Sequence, residues 1–263
     1  MTPAAFKRSI RDLQVWCSSC MVAFSGSDPI AVLIGAKRPS GTLVHKIAVH
    51  PDHRRMGHGR HLLASLASKL AILGPPRIVA EVPETFVPAR ELFSSSGFVQ
   101  EAVLTDYVLQ GEENDLAAGP EGGFVIPVTV DDLAANGLLG EADPPVCWKR
   151  SVETLTARKE EIAGLAVASD ERIEAYLLYV TPGTGPEANA EADILSLRTF
   201  IEDGGARLKQ LLSRLGARGL RTFRFPKVRA TELSRQSLQP LGFRPAGGHV
   251  LFASTLPQRS GSP

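Results

Sequence analysis

A glycine-bearing loop in the first quarter of the chain carries the residues with the clearest chemistry. It reads Arg54-Arg55-Met56-Gly57-His58-Gly59 and joins a predicted strand ending at Val49 to a predicted helix. The first N–H groups of a helix have no partner within it, and the helix dipole adds partial positive charge there. Glycines let a phosphate approach such donors closely, and arginines add charge and paired donors. The spacing therefore predicts a pyrophosphate-binding loop.

Two well-known phosphate loops do not fit this stretch. A Walker loop needs G-x-x-x-x-G-K-[ST], and a dinucleotide fingerprint needs a third glycine where Leu62 stands. Two glycines one residue apart are also compatible with a tight strand-to-helix turn whose arginines are solvated. A nucleotide is a further alternative ligand for the same donors.

The elements that position the loop follow from the spacing of apolar and turn residues. Leucines at 62, 63, 66, 70 and 73 recur at helical spacing, and Gly74-Pro75-Pro76 ends that helix. Gly26-Ser27-Asp28-Pro29 is typical of a hairpin turn. The first half is predicted to contain a helix over about 4–18, strands over 21–25, 30–36 and 42–49, a helix over about 58–73, a strand over 77–82, a helix over 88–95 and a final strand or strand pair up to Gln110.

The second half repeats this order of elements. Gly97-Phe98 and Gly242-Phe243 occupy the same place in the two halves, which indicates an internal duplication of a whole domain. An acidic stretch containing Gly and Pro separates the halves. We therefore predict an α/β protein with domains at 1–110 and 123–256, a linker at 111–122 and a tail at 257–263.

The loop and its flanks resemble a known family. Val49, Pro51, Arg54, Gly57 and Gly59 match V-x-P-x-x-[RQ]-x-x-G-x-[GA], the acetyl-CoA motif of the GNAT superfamily of acyl-CoA N-acyltransferases. The stretch 88–98 resembles the second signature of that family, N-x-x-A-x-x-[LF]-Y-x-x-x-G-F. The resemblance implies two tandem GNAT-like domains, each a mixed, mainly antiparallel sheet flanked by helices.

The resemblance also implies an activity, which is transfer of an acetyl group from acetyl-CoA to an amine by direct attack, with no covalent enzyme intermediate. Amides of residues 55–60 would hold the pyrophosphate, and the backbone of Ile47 and Val49 would pair with the pantetheine arm. In this family the sheet splays open after that strand, and the thioester lies in the gap. The cofactor-binding residues expected from the resemblance are Ile47, Ala48, Val49, Arg54, Arg55, Met56, Gly57, His58, Gly59, Arg60 and Phe93.

The chain departs from the family pattern at two positions. Phe86 and Phe93 stand where the second signature carries Asn and Tyr, and that Tyr is the usual proton donor to the leaving thiolate. A thiol has a reference pKa of about 8.5, so its thiolate can leave without a strong acid. Phe93 would either line the thioester pocket or pack in the core. These departures support an alternative function, a non-catalytic acyl-CoA-binding or scaffold protein.

Two residues are candidates for the proton acceptor that an attacking amine requires. His45 lies on the strand before the loop, and Glu81 lies on the following strand. Structural alternatives are a hydrogen-bonded strand histidine and a surface ion pair. The chain begins with a helix where the family begins with a strand. Part of the acceptor site is therefore either missing or supplied by the second half.

The second half has lost the phosphate-binding residues. Aligning Leu211-Leu212 with Leu62-Leu63 places Asp203, Ala206 and Leu208 where Arg54, Gly57 and Gly59 stand. An acidic residue repels a pyrophosphate, and a leucine blocks approach to the backbone. We therefore expect no cofactor in this half.

Composition limits the classes of partner. The 263 residues carry a net charge of +1, so no whole-protein field attracts nucleic acid or an anionic membrane. No run approaches the roughly 18 apolar residues of a membrane span, and cytoplasm is the expected location. Cys17 and Cys20 are interpreted as structural, and no metal site is expected. The acceptor is a small-molecule or protein amine, with the small molecule favoured because two facing halves tend to form a closed cleft. A homodimer is compatible with the sequence.

Overall fold

The structure is a computed structural model that describes residues 3–111, 124–140, 146–181 and 190–255. Most of the predicted linker and all of the predicted tail lie outside these ranges. The chain divides into two compact units. The first consists of Met1–Val103 together with Gly248–Pro263, and the second of Leu104–Gly247. Sheets flanked by helices confirm the predicted α/β class. None of the described helices is long and apolar enough to cross a membrane.

Helices and strands are numbered here in chain order. The helices are α1 (Pro3–Leu13), α2 (His58–Leu73), α3 (Val87–Ser95), α4 (Val130–Ala135), α5 (Val152–Ala157), α6 (Ala206–Gly216) and α7 (Arg235–Leu238). The strands are β1 (Met21–Ser25), β2 (Asp28–Arg38), β3 (Gly41–Val49), β4 (Arg77–Pro83), β5 (Val99–Gln110), β6 (Phe124–Pro127), β7 (Ala163–Ala168), β8 (Ile173–Val180), β9 (Glu191–Thr199), β10 (Thr222–Arg229) and β11 (Arg244–Thr255).

The sheet of the first unit has the strand order β1-β2-β3-β4-β11. Only β3 and β4 run parallel, and the other neighbours are antiparallel. Alternate residues of the strands face α2 and α3 and form the core with the leucines of α2. This core contains Leu33, Val44, Ile78, Ala80, Val82, Leu62, Leu63, Leu66, Leu70, Phe93, Phe98, Val250 and Phe252.

The last strand of the first unit comes from the end of the chain. In β11, Val250 pairs with Val82 and Phe252 with Ala80 on β4. By contrast, β5, which follows Gly97-Phe98, contributes its Leu104–Gln110 portion to the second unit, where it pairs with β10. The compact units therefore exchange their final strands, and they differ from the contiguous domains predicted from the sequence. Both strands follow the same Gly-Phe turn, and nothing local to that turn specifies which sheet each strand joins.

The second unit repeats the plan of the first. Its strand order is β5-β10-β9-β8-β7-β6, and β9 and β10 form the parallel pair. Its core packs four leucines of α6 against the sheet, including Leu211 and Leu212. Phe223, Phe225 and Phe243 complete this core. The leucine-faced helix and its place after β9 agree with the duplication inferred from the sequence.

Candidate active site

A gap in the sheet of the first unit begins where β3 separates from β4. The two strands pair only at Thr42 with Ile78 and Leu43 with Val79. One residue further along β3 the ladder to β2 contains a bulge, with Ile34 opposite Lys46 and Gly35 opposite Val44. The extra residue opposite β2 at this bulge is His45, and it is half-buried. Bulges bend a strand and re-aim its side chains, so this one helps to open the gap.

The edge of β3 that borders the gap presents the backbone of Ile47 and the N–H of Val49, while the carbonyl of Val49 accepts from Nε of Arg54. The N–H of His50, just after β3, donates to the carbonyl of Ile30 in β2 at 2.7 Å. Successive residues of a strand direct their backbone groups to opposite sides. Ile47 and Val49 therefore direct theirs away from β2 and toward the gap, where an extended chain would add as a further strand.

Backbone donors converge where the loop after β3 enters α2. The first N–H of this helix to find a backbone acceptor is that of His61, which donates to Gly57 at 2.9 Å. No hydrogen bond to another described residue engages the amides of residues 55–60. They are thus ready donors for an anion at the positive end of a 16-residue helix.

Two residues of the loop adopt a left-handed backbone conformation. Arg55 has φ of +64° and Gly57 has φ of +88°, both in the left-handed region. Alternation of right- and left-handed residues produces a concave nest of N–H groups that binds anions. Gly57 caps α2, and a side chain there would strain the backbone. A Cβ at Gly59 would meet the tip of Leu92 at 3.1 Å, so this position is closely packed against α3.

These features border one cleft with a volume of about 740 Å³. Its size lies within the range of small-molecule sites, which is roughly 300–1,000 Å³. The β3 edge and the loop form one wall, and α3 with the residue before it forms the other. The lining residues are Ile47, Ala48, Val49, His53, Arg54, Arg55, Gly57, His58, Gly59, Arg60, Phe86, Pro88, Ala89, Glu91, Leu92 and Ser95.

Basic side chains give the cleft a cationic end. Arg54 donates from Nε to the carbonyl of Val49 at 3.3 Å, which holds its guanidinium beside the β3 edge. Arg55 lies 3.4 Å from the carboxylate of Glu91 on α3. Both members of that pair are exposed, so the interaction is weak and Arg55 can turn to another anion. The cleft therefore suits a phosphate-bearing ligand with an extended arm.

The structure brings together most of the predicted cofactor residues, with one departure. The side chain of Met56 is 66% exposed and is not part of the cleft lining, which leaves its backbone amide, the group expected from the resemblance, for the nest. Phe93 is 2% exposed, with its ring 5.1 Å from that of Phe98 and 5.8 Å from that of Phe252. It packs in the core and does not line the cleft, so the expected contact with the cofactor is corrected.

Sequence reasoning missed the wall that α3 contributes. Pro88, Glu91, Leu92 and Ser95 all line the cleft. They recur at helical spacing on one face of α3, and that periodicity is the signal that would have found them. Phe86, at the position of the family Asn, also lines the cleft and is 55% exposed.

The two candidate proton acceptors flank the gap. Glu81 is half-buried on β4, two residues beyond the last pairing with β3. Its neighbours Ala80 and Val82 face α2 and α3, so Glu81 lies on the opposite face of the sheet. His45 stands at the bulge where the gap opens. In the described part of the chain, no group of three or more His, Cys, Asp or Glu side chains is arranged to hold a metal ion.

In the second unit a carboxylate fills the corresponding helix end. Gly205, with φ of +87°, caps α6 as Gly57 caps α2. Asp203 accepts the N–H of Gly205 at 2.9 Å and that of Arg207 at 2.8 Å. Leu208 is buried within the core. The alignment of Leu211-Leu212 with Leu62-Leu63 places Ala206 opposite Gly57. The glycine that caps α6 is Gly205, one residue earlier. Because the carboxylate of Asp203 already accepts from these N–H groups, the structure supports the expectation that no pyrophosphate binds there.

An arginine fills the gap between the strands of the second unit. β9 and β10 pair only at 191–193 and 222–224. The guanidinium of Arg150 donates to the carbonyl of Leu195 on β9 at 3.3 Å and to that of Lys227 on β10 at 3.2 Å. It also pairs with the carboxylate of Glu232 through two hydrogen bonds, at 2.7 and 2.5 Å. The second unit thus retains the splayed strands but closes them with its own side chain.

Comparison with known proteins agrees with this geometry. Residues 3–98 match the model of the acetyltransferase (GNAT) family. No curated protein sequence matches significantly. A tandem GNAT protein from the clavulanic acid biosynthesis pathway superposes with a TM-score of 0.64 at 18% identity, covering 92% of this chain and 83% of that one.

Two further solved structures show the same fold. The GCN5-related N-acetyltransferase from Sphaerobacter thermophilus has a TM-score of 0.61 at 15% identity, over 91% of this chain and 82% of that one. The GCN5-related N-acetyltransferase from Anabaena variabilis ATCC 29413 has a TM-score of 0.67 at 8% identity, over 98% and 67%. The match to the GNAT acetyltransferase family is thus confined to residues 3–98, and the chain has the fold of a tandem GNAT protein.

Proposed function

We propose that this protein is an N-acetyltransferase that moves the acetyl group of acetyl-CoA to an amine by direct attack, and that only the first unit binds acetyl-CoA. The observation that carries the proposal is the cleft in which the amide nest of residues 55–60 meets the open edge of β3. A phosphate group and an extended polar arm, joined in one ligand, match those two features.

The residues of the cleft have distinct tasks in this proposal. The amides of residues 55–60 and the guanidinium groups of Arg54, Arg55 and Arg60 hold the pyrophosphate. The backbone of Ile47 and Val49 holds the pantetheine arm as an added strand, which directs the thioester into the gap. The side chains of Phe86, just before α3, and of Leu92 on α3 cover the arm and limit its exposure to water.

The acceptor enters from the face of the sheet that carries Glu81. A neutral amine attacks the thioester carbonyl carbon, the C–N bond forms, and the C–S bond breaks. His45 and Glu81, the two candidate proton acceptors from the sequence, both flank the gap. With Phe93 in the core, no tyrosine protonates the thiolate, and the proton comes from water. A small-molecule amine is the proposed acceptor class, and a protein amine is the alternative.

A second candidate function is a non-catalytic acyl-CoA-binding protein. The burial of Phe93 at the position of the family proton donor favours it. The two functions differ in turnover and share the same binding cleft, so binding alone does not separate them.

Turnover with a small panel of amines tests the proposed function. Full-length protein is incubated with acetyl-CoA and with glucosamine, spermidine, lysine or a lysine-containing peptide, and products are measured by mass spectrometry. We expect amine-dependent formation of free CoA and of one acetylated product. Glu81→Gln is expected to lower kcat by about tenfold or more while acetyl-CoA binding is retained. Binding of acetyl-CoA without acetylation of any of the four amines would favour the non-catalytic alternative.

A further inference from the structure

The strand that completes the first unit brings a histidine that has no role so far. His249 is the second residue of the segment Gly248–Pro263, which belongs to the first unit although it ends the chain. In β11, Val250 and Phe252 belong to the core beneath α2 and α3. Alternation along the strand therefore places His249 and Leu251 on the opposite face, the face from which the acceptor enters.

Glu81 and His249 are neighbours on that face. The register of β4 and β11 pairs Leu251 with Glu81 and His249 with Pro83. Glu81 and His249 therefore stand diagonally across an antiparallel ladder. Such diagonal positions are roughly 7–8 Å apart between Cα atoms, within reach of long and ring-bearing side chains. Both side chains are half-buried, and the Nδ1 atom of His249 is out of contact with solvent.

β11 is anchored through Gly248 at the wide end of the gap. β3 and β4 run parallel and separate toward Pro83, and β11 runs antiparallel to β4 with His249 opposite Pro83, so Gly248 and His249 lie at that end. The N–H of Glu84 donates to the carbonyl of Gly248 at 2.9 Å. This contact holds His249 in place next to the acceptor face.

We propose that His249 is a catalytic residue that accepts the proton of the attacking amine, and that Glu81 positions its imidazole and stabilises the imidazolium. The inference rests on the proposed acetyl transfer and specifies its acceptor side. The amine nitrogen bonds to the thioester carbonyl carbon as the C–S bond breaks. The amine proton passes to the imidazole, and the leaving thiolate takes a proton from water. The imidazolium returns its proton to solvent.

Two nucleophiles with different need for a base test this role. The fastest of the four amines above is compared with hydroxylamine, which is already uncharged and strongly nucleophilic at neutral pH. His249→Gln removes the proton acceptor and keeps a polar side chain of similar length. We expect turnover of the amine to fall about a hundredfold or more, and turnover of hydroxylamine to fall less than about fivefold.

Controls separate chemistry from folding. His61→Gln changes an exposed histidine on α2 that takes no part in the cleft, and it is expected to leave both rates unchanged. The melting point and its rise with acetyl-CoA should be the same in His249→Gln as in the wild type. If Glu81 acts through His249, the double variant Glu81→Gln/His249→Gln loses no more activity than the more damaging single variant.

The outcomes distinguish this inference from the proposed function. Equal losses with both nucleophiles, or an unchanged amine rate in His249→Gln, would overturn the role of His249 while acetyl transfer stands. A selective loss in His45→Gln with none in His249→Gln would assign the proton to His45 instead. Absence of turnover by the wild type with every nucleophile would overturn the proposed function itself.

Discussion

Replacing Phe252 by alanine is expected to destabilise the first unit by about 3–5 kcal/mol and to weaken its binding of acetyl-CoA. Phe252 lies close to the end of the chain, more than a hundred residues beyond the loop proposed to bind the cofactor. Its ring is 3% exposed and stacks on Phe93 of α3 at 5.8 Å. Removing the ring leaves a cavity beneath α2 and α3, the two helices that form the cleft walls.

The chain offers a matched control for this prediction. Phe243 is also buried and lies only nine positions earlier, but it packs in the core of the second unit. Peptide-resolved hydrogen exchange distinguishes the two. Phe252→Ala should speed exchange in α2 and β4, and Phe243→Ala should speed it in α6. If Phe252→Ala instead loosened α6 and spared α2, the strand exchange between the units would be wrong.

The second large effect is expected from removal of Arg150, the buried cation that lies between β9 and β10 of the second unit. The side chain of Arg150 is 1% exposed, and that of Glu232 is 9% exposed. The guanidinium of Arg150 also lies 4.6 Å from the ring centroid of Phe225. Burial alone would lower the pKa of Arg150, but Cys147 and Glu232 more than offset it and raise the pKa above its ordinary value. Arg150→Met leaves Glu232 with a buried, uncompensated charge, which is expected to cost about 3–5 kcal/mol.

A double variant shows whether that cost arises from the unpaired carboxylate. Arg150→Met/Glu232→Leu removes both charges, and we expect it to recover most of the lost stability. Urea unfolding of each variant measures the difference. Lys159→Met, which removes one partner of an exposed pair with Asp131, should leave the unfolding midpoint unchanged. A double variant as unstable as Arg150→Met alone would show that the lost contacts to Leu195 and Lys227 dominate.

Local patterns in the sequence predicted the loop between β3 and α2 well. Turn residues, helical leucine spacing and two glycines define the boundary between β3 and α2, and the observed helix covers the predicted 58–73. The opening of the sheet beside this loop was expected from the family resemblance, and the structure has it after Leu43. These features depend on residues close together in the chain, which is why pattern reasoning reached them.

Features that depend on distant partners were out of reach. Nothing in the stretch 248–253 specifies pairing with β4 rather than with a strand of its own half, so the role of β11 was missed and His249 with it. The bulge at His45 has no local signature, because it arises from the mismatch between β2 and β3. Phe93 was assigned to the cofactor by analogy with the family Tyr, but its apolar ring gains more from packing with Phe98 and Phe252.

The most direct test of the account is a calorimetric titration of the full-length protein with acetyl-CoA. We expect one site per chain, since Asp203 and Arg150 close the second unit, and binding about tenfold or more weaker for ATP. Gly59→Glu places a carboxylate among the amides of the first unit and should abolish binding, whereas the uncharged Gly59→Gln should weaken it less. Two sites per chain, equal affinity for ATP, or unchanged binding by Gly59→Glu would contradict a single acetyl-CoA site in the first unit.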